Sequence, residues 1–148
     1  TSVNPIVRGA PAVPLVLSFG LSSAAIAASP LAQVERLNSI TQAGPADGQA
    51  VVVLLDTFSR WFEPENGEAL IDVLAAAGCR VHVAGADDKR PLCCGRTFLA
   101  AGLIDEARHE ARRLLLALKP FIEQKIPLVG LEPACILTLR DEYDVLLP

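Results

Sequence analysis

The sequence has no methionine, no Gly-x-Gly-x-x-Gly, no phosphate-binding Walker loop and no block of lysine or arginine. Each absence excludes something. With no methionine and a threonine in first place, the chain reads as a piece of a longer protein. With no glycine fingerprint after a strand, nucleotide binding has no support. With no basic stripe, a net charge of −4 and a pI near 5.1, nucleic acid is not an expected partner. No internal repeat is visible. There is also no uninterrupted apolar run of membrane-spanning length. Residues 10–29 come nearest, following Arg8 and ending in small residues in the outline of a secretory signal. Pro11 and Pro14 interrupt that run, and Gly20 and several serines dilute it. An apolar linker that packs on a neighbouring domain is the expected reading, and a targeting segment the alternative.

What is present is the composition of a packed domain. Hydrophobic residues make up 51% of 148 positions and charged residues 20%, enough to bury one core. Four cysteines stand at irregular spacing within an α/β pattern. That argues against a secreted disulfide scaffold and for a reducing compartment, where cysteines serve metals or redox chemistry.

The chain divides near residue 48, into a linker and helical extension over 1–48 and an α/β domain over 49–148. In the extension, Ser29 to Ile40 is a helical candidate, and Gly44-Pro45-Ala46-Asp47-Gly48 reads as a turn. Ala50 to Leu55 is a continuous apolar run, as in a parallel strand buried on both faces. Pro64 opens a helix that Gly78 closes, and Arg80 to Ala84 is a second strand. Leu103 to Phe121 is a long helix with an apolar stripe at Ala107, Ala111, Leu114, Leu115 and Leu118. The charges at 105–113 form its solvated face. Pro127 to Leu131 is a third strand, and Cys135 to Leu147 a last helix. This alternation predicts a small Rossmann-like, three-layer α/β domain with a parallel sheet.

In such sheets ligands gather outside the carboxyl ends of the strands. Three loops leave those ends: Asp56 to Glu63, Gly85 to Thr97, and Glu132 to Cys135. Topology alone therefore brings Cys93, Cys94 and Cys135 to one rim, with the sulfurs of Cys93 or Cys94 and of Cys135 expected within about 10 Å. Cys79 precedes its strand, so about five residues at ~3.3 Å each place it some 16 Å away on the opposite rim, as a small buried hydrophobe. Adjacent cysteines on a turn can present two sulfurs to one metal centre, and Gly95 lets the backbone approach closely. Cys135 opens a helix, where the dipole favours thiolate. Arg60 and Arg96 flank the rim, as anchors for a carboxylate, as neutralisers of cluster charge, or as ordinary surface ion pairs. Phe58, Trp61 and Phe62 lie on the first loop, where they pack the loop or dock a partner domain. His82 lies within a strand and His109 mid-helix, both away from the rim.

The stretches DTFSRWFEPENGEALIDVLAAAG, RPLCCGRTFLAAGLIDEAR and GLEPACILTLRDEY resemble, in that order, the cysteine-rich CCG domain of iron–sulfur oxidoreductases. The likeness spans about residues 50–148. It is strongest to fusion proteins that join an FAD-linked oxidase, a ferredoxin-like 4Fe–4S segment and paired CCG domains, such as glycolate or D-lactate dehydrogenases. The resemblance implies an electron-transfer module of an FAD-linked enzyme acting on a 2-hydroxy acid or similar small substrate. Cys93, Cys94 and Cys135 would be cluster ligands, with Gly95, Asp56 and Arg96 around the cofactor. The implied partners are the FAD-binding and ferredoxin-like domains of the same chain, a second CCG domain, and self-association through an apolar patch. The implied location is cytoplasmic, including the inner face of a membrane.

The match has gaps. The family pattern carries a cysteine after the first strand and a final CxxC. Here Asp56 or Thr57 takes the first place, and Thr138 leaves Cys135 alone in the last. Three sulfurs stand where a [4Fe–4S] centre takes four. Three routes stay open: Asp56 supplies an oxygen, a second CCG domain supplies a thiolate, or this copy binds nothing and holds its neighbours together. An incomplete site of this kind is expected to lose its cluster in air. A thiol–disulfide pair of Cys94 with Cys135 is the further alternative.

Overall fold

The computed structural model describes residues 29–86 and 90–147. The apolar stretch read at 10–29 lies outside these residues except for Ser29. The elements are α1 (Pro30–Ser39), β1 (Gln42–Ala43), β2 (Gln49–Leu54), α2 (Thr57–Trp61), α3 (Pro64–Ala76), β3 (Cys79–Val83), α4 (Arg96–Ala100), α5 (Ile104–Glu123), β4 (Leu128–Gly130), α6 (Pro133–Asp141) and α7 (Tyr143–Leu146).

One four-stranded sheet in the order β1-β3-β2-β4 organises them, and β2 lies parallel to β3 on one side and to β4 on the other. The α/β class and the parallel centre of the sheet are as expected. The edge strand β1 is new. It runs antiparallel to β3, pairing Gln42 with His82 and Ala43 with Val81, and two residues carry no readable alternation.

β2 shows why the sheet is buried on both faces. Its side chains alternate, so Val52 and Leu54 join a cluster with Ala107, Ala111, Leu114 and Leu118 of α5. Val51, Val53 and Leu55 join Leu37 of α1, Ile71 of α3 and Val81 of β3 on the other face. The result is three layers. Helix α1 begins where Ser29 Oγ accepts the Ala32 amide at 3.3 Å with Pro30 in the first turn, and it buries Val34 and Leu37 one turn apart. Helix α1 and strand β1, from the segment before residue 48, thus pack on the same sheet as the later elements. No helix among the described residues is long and apolar enough to cross a membrane.

Three local readings change. The expected loop after β2 contains a helical turn, α2, because Asp56 caps it. The last helix breaks at Glu142, giving α6 and α7. The charged face of α5 is not wholly solvated, since Glu110 is 3% exposed. It faces two arginines, which the i,i+4 pattern within its own helix could not reveal.

Candidate functional site

The carboxyl ends of β2, β3 and β4 open on a cavity of about 240 Å³ whose lining includes Thr57, Phe58, Cys93, Cys94, Arg96, Glu132 and Cys135. Three cysteines from two loops 41 residues apart in sequence therefore meet. The Cys94 thiol donates to Cys135 Sγ at 3.1 Å, well inside the expected 10 Å. Both residues are buried, and Cys93 is half-buried beside them. Cys79 is the first residue of β3, at the other end of the strand, packed against the Val51–Ile71 face and away from this cavity.

Each cysteine is held by the backbone around it. Gly95 adopts φ 82° as the N-cap of α4, which turns the chain sharply after Cys94, and the Gly95 amide donates to Cys93 Sγ at 3.4 Å. Behind the turn, the buried Tyr143 hydroxyl donates to the Cys94 carbonyl at 2.8 Å. Cys135 lies in the first turn of α6, which Glu132 caps by accepting the Ala134 amide at 3.0 Å.

The segment leading into Cys93 has its own brace. Buried Glu110 accepts from Arg90 Nη2 at 2.6 Å and from Arg113 Nη1 at 2.7 Å, while Arg113 Nη2 donates to the Arg90 carbonyl at 2.7 Å. This clamp ties residues 90–91 to α5 and was not legible from sequence. Glu110 and Arg113 read there as surface charges, and their partner lies some 20 residues away. Tyr143 was missed for the same reason.

Electrostatics favour the neutral form of the two adjacent cysteines. The Cys94 thiol is pushed up to about 11, first by its hydrogen bond to Cys135 and then by burial. The Cys93 thiol is also pushed up, chiefly by its hydrogen bond with Cys94 and by burial. The Tyr143 hydroxyl rises through burial and the neighbouring sulfurs. The folded site thus holds Cys93 and Cys94 as thiols. Two thiolates on one tetrahedral metal, with bonds of about 2.3 Å, would stand about 3.8 Å apart, so the 3.1 Å approach of Cys94 to Cys135 is that of a thiol hydrogen bond rather than of a ligand pair. Among the described residues, no group of three His, Cys, Asp or Glu side chains is placed to hold a single metal ion.

Asp56 is committed elsewhere. Its Oδ1 accepts the Phe58 and Ser59 amides at 2.8 and 3.1 Å, and its Oδ2 accepts the Ser59 hydroxyl at 2.6 Å. It caps α2, and Thr57, the next residue, lines the cysteine cavity in its place. The signal was available, because an aspartate followed three residues later by serine at a strand end is a capping pattern. Glu132 is the carboxylate that borders the sulfurs. Arg96 lines the cavity and pairs with Glu142 at 3.5 Å, half-exposed. Arg60 instead turns to a second cavity. It is 7% exposed, its Nη1 donates to Asn38 Oδ1, and burial pushes its guanidinium down, with Asp56 only partly offsetting. Phe58, Trp61 and Phe62 are exposed, the two phenylalanine rings 6.0 Å apart. His82 packs against Phe121 at 5.6 Å.

The Tyr143 bond gives a first prediction. Tyr143→Phe leaves the Cys94 carbonyl buried without its donor, so urea denaturation should show a loss of about 1–3 kcal/mol. An unchanged midpoint would mean that water replaces the hydroxyl.

Compared with curated proteins, the chain is 32% identical over 87 residues, 58% of its length, to one subunit of the anaerobic glycerol-3-phosphate dehydrogenase of Escherichia coli (strain K12). It is 32% identical over 114 residues, 76% of its length, to D-2-hydroxyglutarate dehydrogenase of Pseudomonas putida. The matched regions cover 21% of the first relative and 10% of the second, so the chain corresponds to a small part of each. No family profile matches the chain, and no solved structure gives a significant match. One relative is a dehydrogenase and the other a component of one, and the likeness supports an oxidoreductase-related role.

Proposed function

We propose that this domain is the cysteine-rich electron-transfer part of a larger flavin-linked, iron–sulfur dehydrogenase acting on a 2-hydroxy acid or similar small substrate. The observation that carries the reading is the meeting of Cys93, Cys94 and Cys135 in one cavity at the carboxyl ends of the sheet. Soft sulfur donors in a largely apolar, partly closed cavity suit iron rather than a hard cation. An iron–sulfur cluster, when bound, supplies a one-electron relay between a flavin and an acceptor.

The chain's own residues do the rest. Cys93, Cys94 and Cys135 would hold the cluster as thiolates, which requires each thiol to release its proton to solvent and the Cys94–Cys135 hydrogen bond to break. Gly95 keeps the turn close to α5, Tyr143 and the Glu110 clamp hold the turn in place, and Arg96 offsets negative charge at the mouth. Three sulfurs are one short of the usual four. With Asp56 committed to its cap, a thiolate from another domain of the enzyme, such as a second CCG domain, is the favoured fourth ligand. FAD and a ferredoxin-like segment belong to those other parts.

The test is anaerobic purification of the full-length enzyme with iron and sulfide analysis, low-temperature EPR and turnover, against Cys94→Ala/Cys135→Ala. The variant should lose the iron, sulfide and signal of one cluster and most electron transfer to the acceptor. If all of these are unchanged, the domain is a scaffold that holds its neighbours together. A second reading, a thiol–disulfide couple, is favoured by the 3.1 Å approach of Cys94 and Cys135.

A further inference from the structure

A second cavity, of about 500 Å³, lies between the end of α1 and the residues that follow it, α2, and the segment that leaves β3. It shares α2 with the cysteine cavity, Thr57 and Phe58 lining one and Arg60 and Trp61 the other. Its walls are mainly apolar, from Ile40, Trp61, Val83 and Leu92, with Asn38 and Thr41 at the polar side. Set into this lining is Arg60, more than nine-tenths buried.

Among the described residues, the charge of Arg60 is poorly answered. Nη1 donates to the neutral Asn38 amide oxygen, and Nε is buried with no hydrogen-bond partner among the described residues. The neighbouring acid, Asp56, has both carboxylate oxygens taken by the α2 cap. Arg90, the other cation among the described lining residues, is bonded to Glu110 at 2.6 Å. Burying a guanidinium without a carboxylate opposes folding, so an arginine kept in this state calls for an explanation. A planar guanidinium matches a carboxylate through paired N–H donors. One unanswered positive charge beside apolar walls suits one negative charge on a short apolar body better than a doubly charged, fully polar phosphate.

We infer that this cavity binds a small organic monocarboxylate, with Arg60 gripping the carboxylate and Ile40, Trp61 and Leu92 covering the apolar body. The inference stands apart from the reading of the cysteines, since it names a ligand and no redox role.

Trp61 is the chain's one tryptophan and lines the cavity, so its fluorescence reports on occupancy. Butyrate titrated into the chain should give a saturable change at one site. Butyramide, the same shape without the charge, and inorganic phosphate should bind at least about tenfold more weakly, the value of a charge-assisted contact. Arg60→Met should weaken butyrate by about 10- to 100-fold with the circular dichroism spectrum retained, because an apolar residue of similar length in place of an unanswered buried cation is tolerated. Should that variant not fold, Arg60→Lys keeps the charge, loses the fork and should still weaken butyrate. Cys94→Ala/Cys135→Ala should bind butyrate as before, which separates this site from the redox reading. The inference is overturned if butyrate gives no saturable change, if butyramide or phosphate binds as well, or if neither Arg60 variant alters the affinity.

Discussion

Gly95→Ala is expected to destabilise the domain by about 2–5 kcal/mol, a large part of the ~5–15 kcal/mol that holds a domain of this size together. Two costs add. At φ 82° the backbone is left-handed, where a Cβ costs about 1–2 kcal/mol. That Cβ would also lie 2.7 Å from the Ala107 carbonyl oxygen and 3.3 Å from the Ala107 Cα. Both are backbone atoms of the fully buried Ala107 within α5, so nothing flexible can give way, and overpacking adds about 1–3 kcal/mol. Gly102 provides the control, with φ 75° and nothing within 4 Å of the added atom. Gly102→Ala should cost only the first term, about 1–2 kcal/mol. Urea denaturation of both variants side by side tests the difference. Equal losses would show that the cysteine turn is not held against α5 by close approach, and that Gly95 serves its backbone angle alone.

Oxidation of Cys94 with Cys135 should stabilise the chain by up to about 4 kcal/mol, the entropy of closing a loop of roughly forty residues in the unfolded state. The sulfurs start 3.1 Å apart and need to approach to about 2.0 Å. Diamide is the suitable oxidant: it takes up the two electrons and two protons that the thiols release as the S–S bond forms. The expected product is a monomer lighter by two hydrogens, with a higher urea midpoint and with Cys79 still open to alkylation. A bridge formed by other cysteines, or cross-linked dimers in its place, would contradict the geometry. The same product separates the two readings of the site. A disulfide has no thiolate to offer, so the oxidised chain should take up no iron on reconstitution, while a reduced chain given iron and sulfide should be protected from diamide. If diamide bridges the pair equally fast in both, the thiol–disulfide reading gains and the cluster reading loses.

What the sequence determined by itself is the frame and the place of the site. The apolar run of β2, the stripe of Ala107, Ala111, Leu114 and Leu118, and the alternation of strands with helices are written in windows of a turn or two. The rule that ligands gather at carboxyl ends of parallel strands then brought Cys93, Cys94 and Cys135 to one rim and set Cys79 apart. The Asp56–Ser59 cap is equally local, its partners lying within three residues of each other. The tertiary structure alone decided the rest. It paired Cys94 with Cys135 across 41 residues, laid Tyr143 behind the Cys94 carbonyl across 49, and folded Arg90 back on Glu110 across 20. It also added β1 as an edge strand and left Arg60 buried with no carboxylate bonded to it among the described residues. The physical reason is range. Periodicity and capping arise from neighbours along the chain, whereas the partner of a buried polar group is chosen by which surfaces the packed layers bring together. No pattern within one element carries that information.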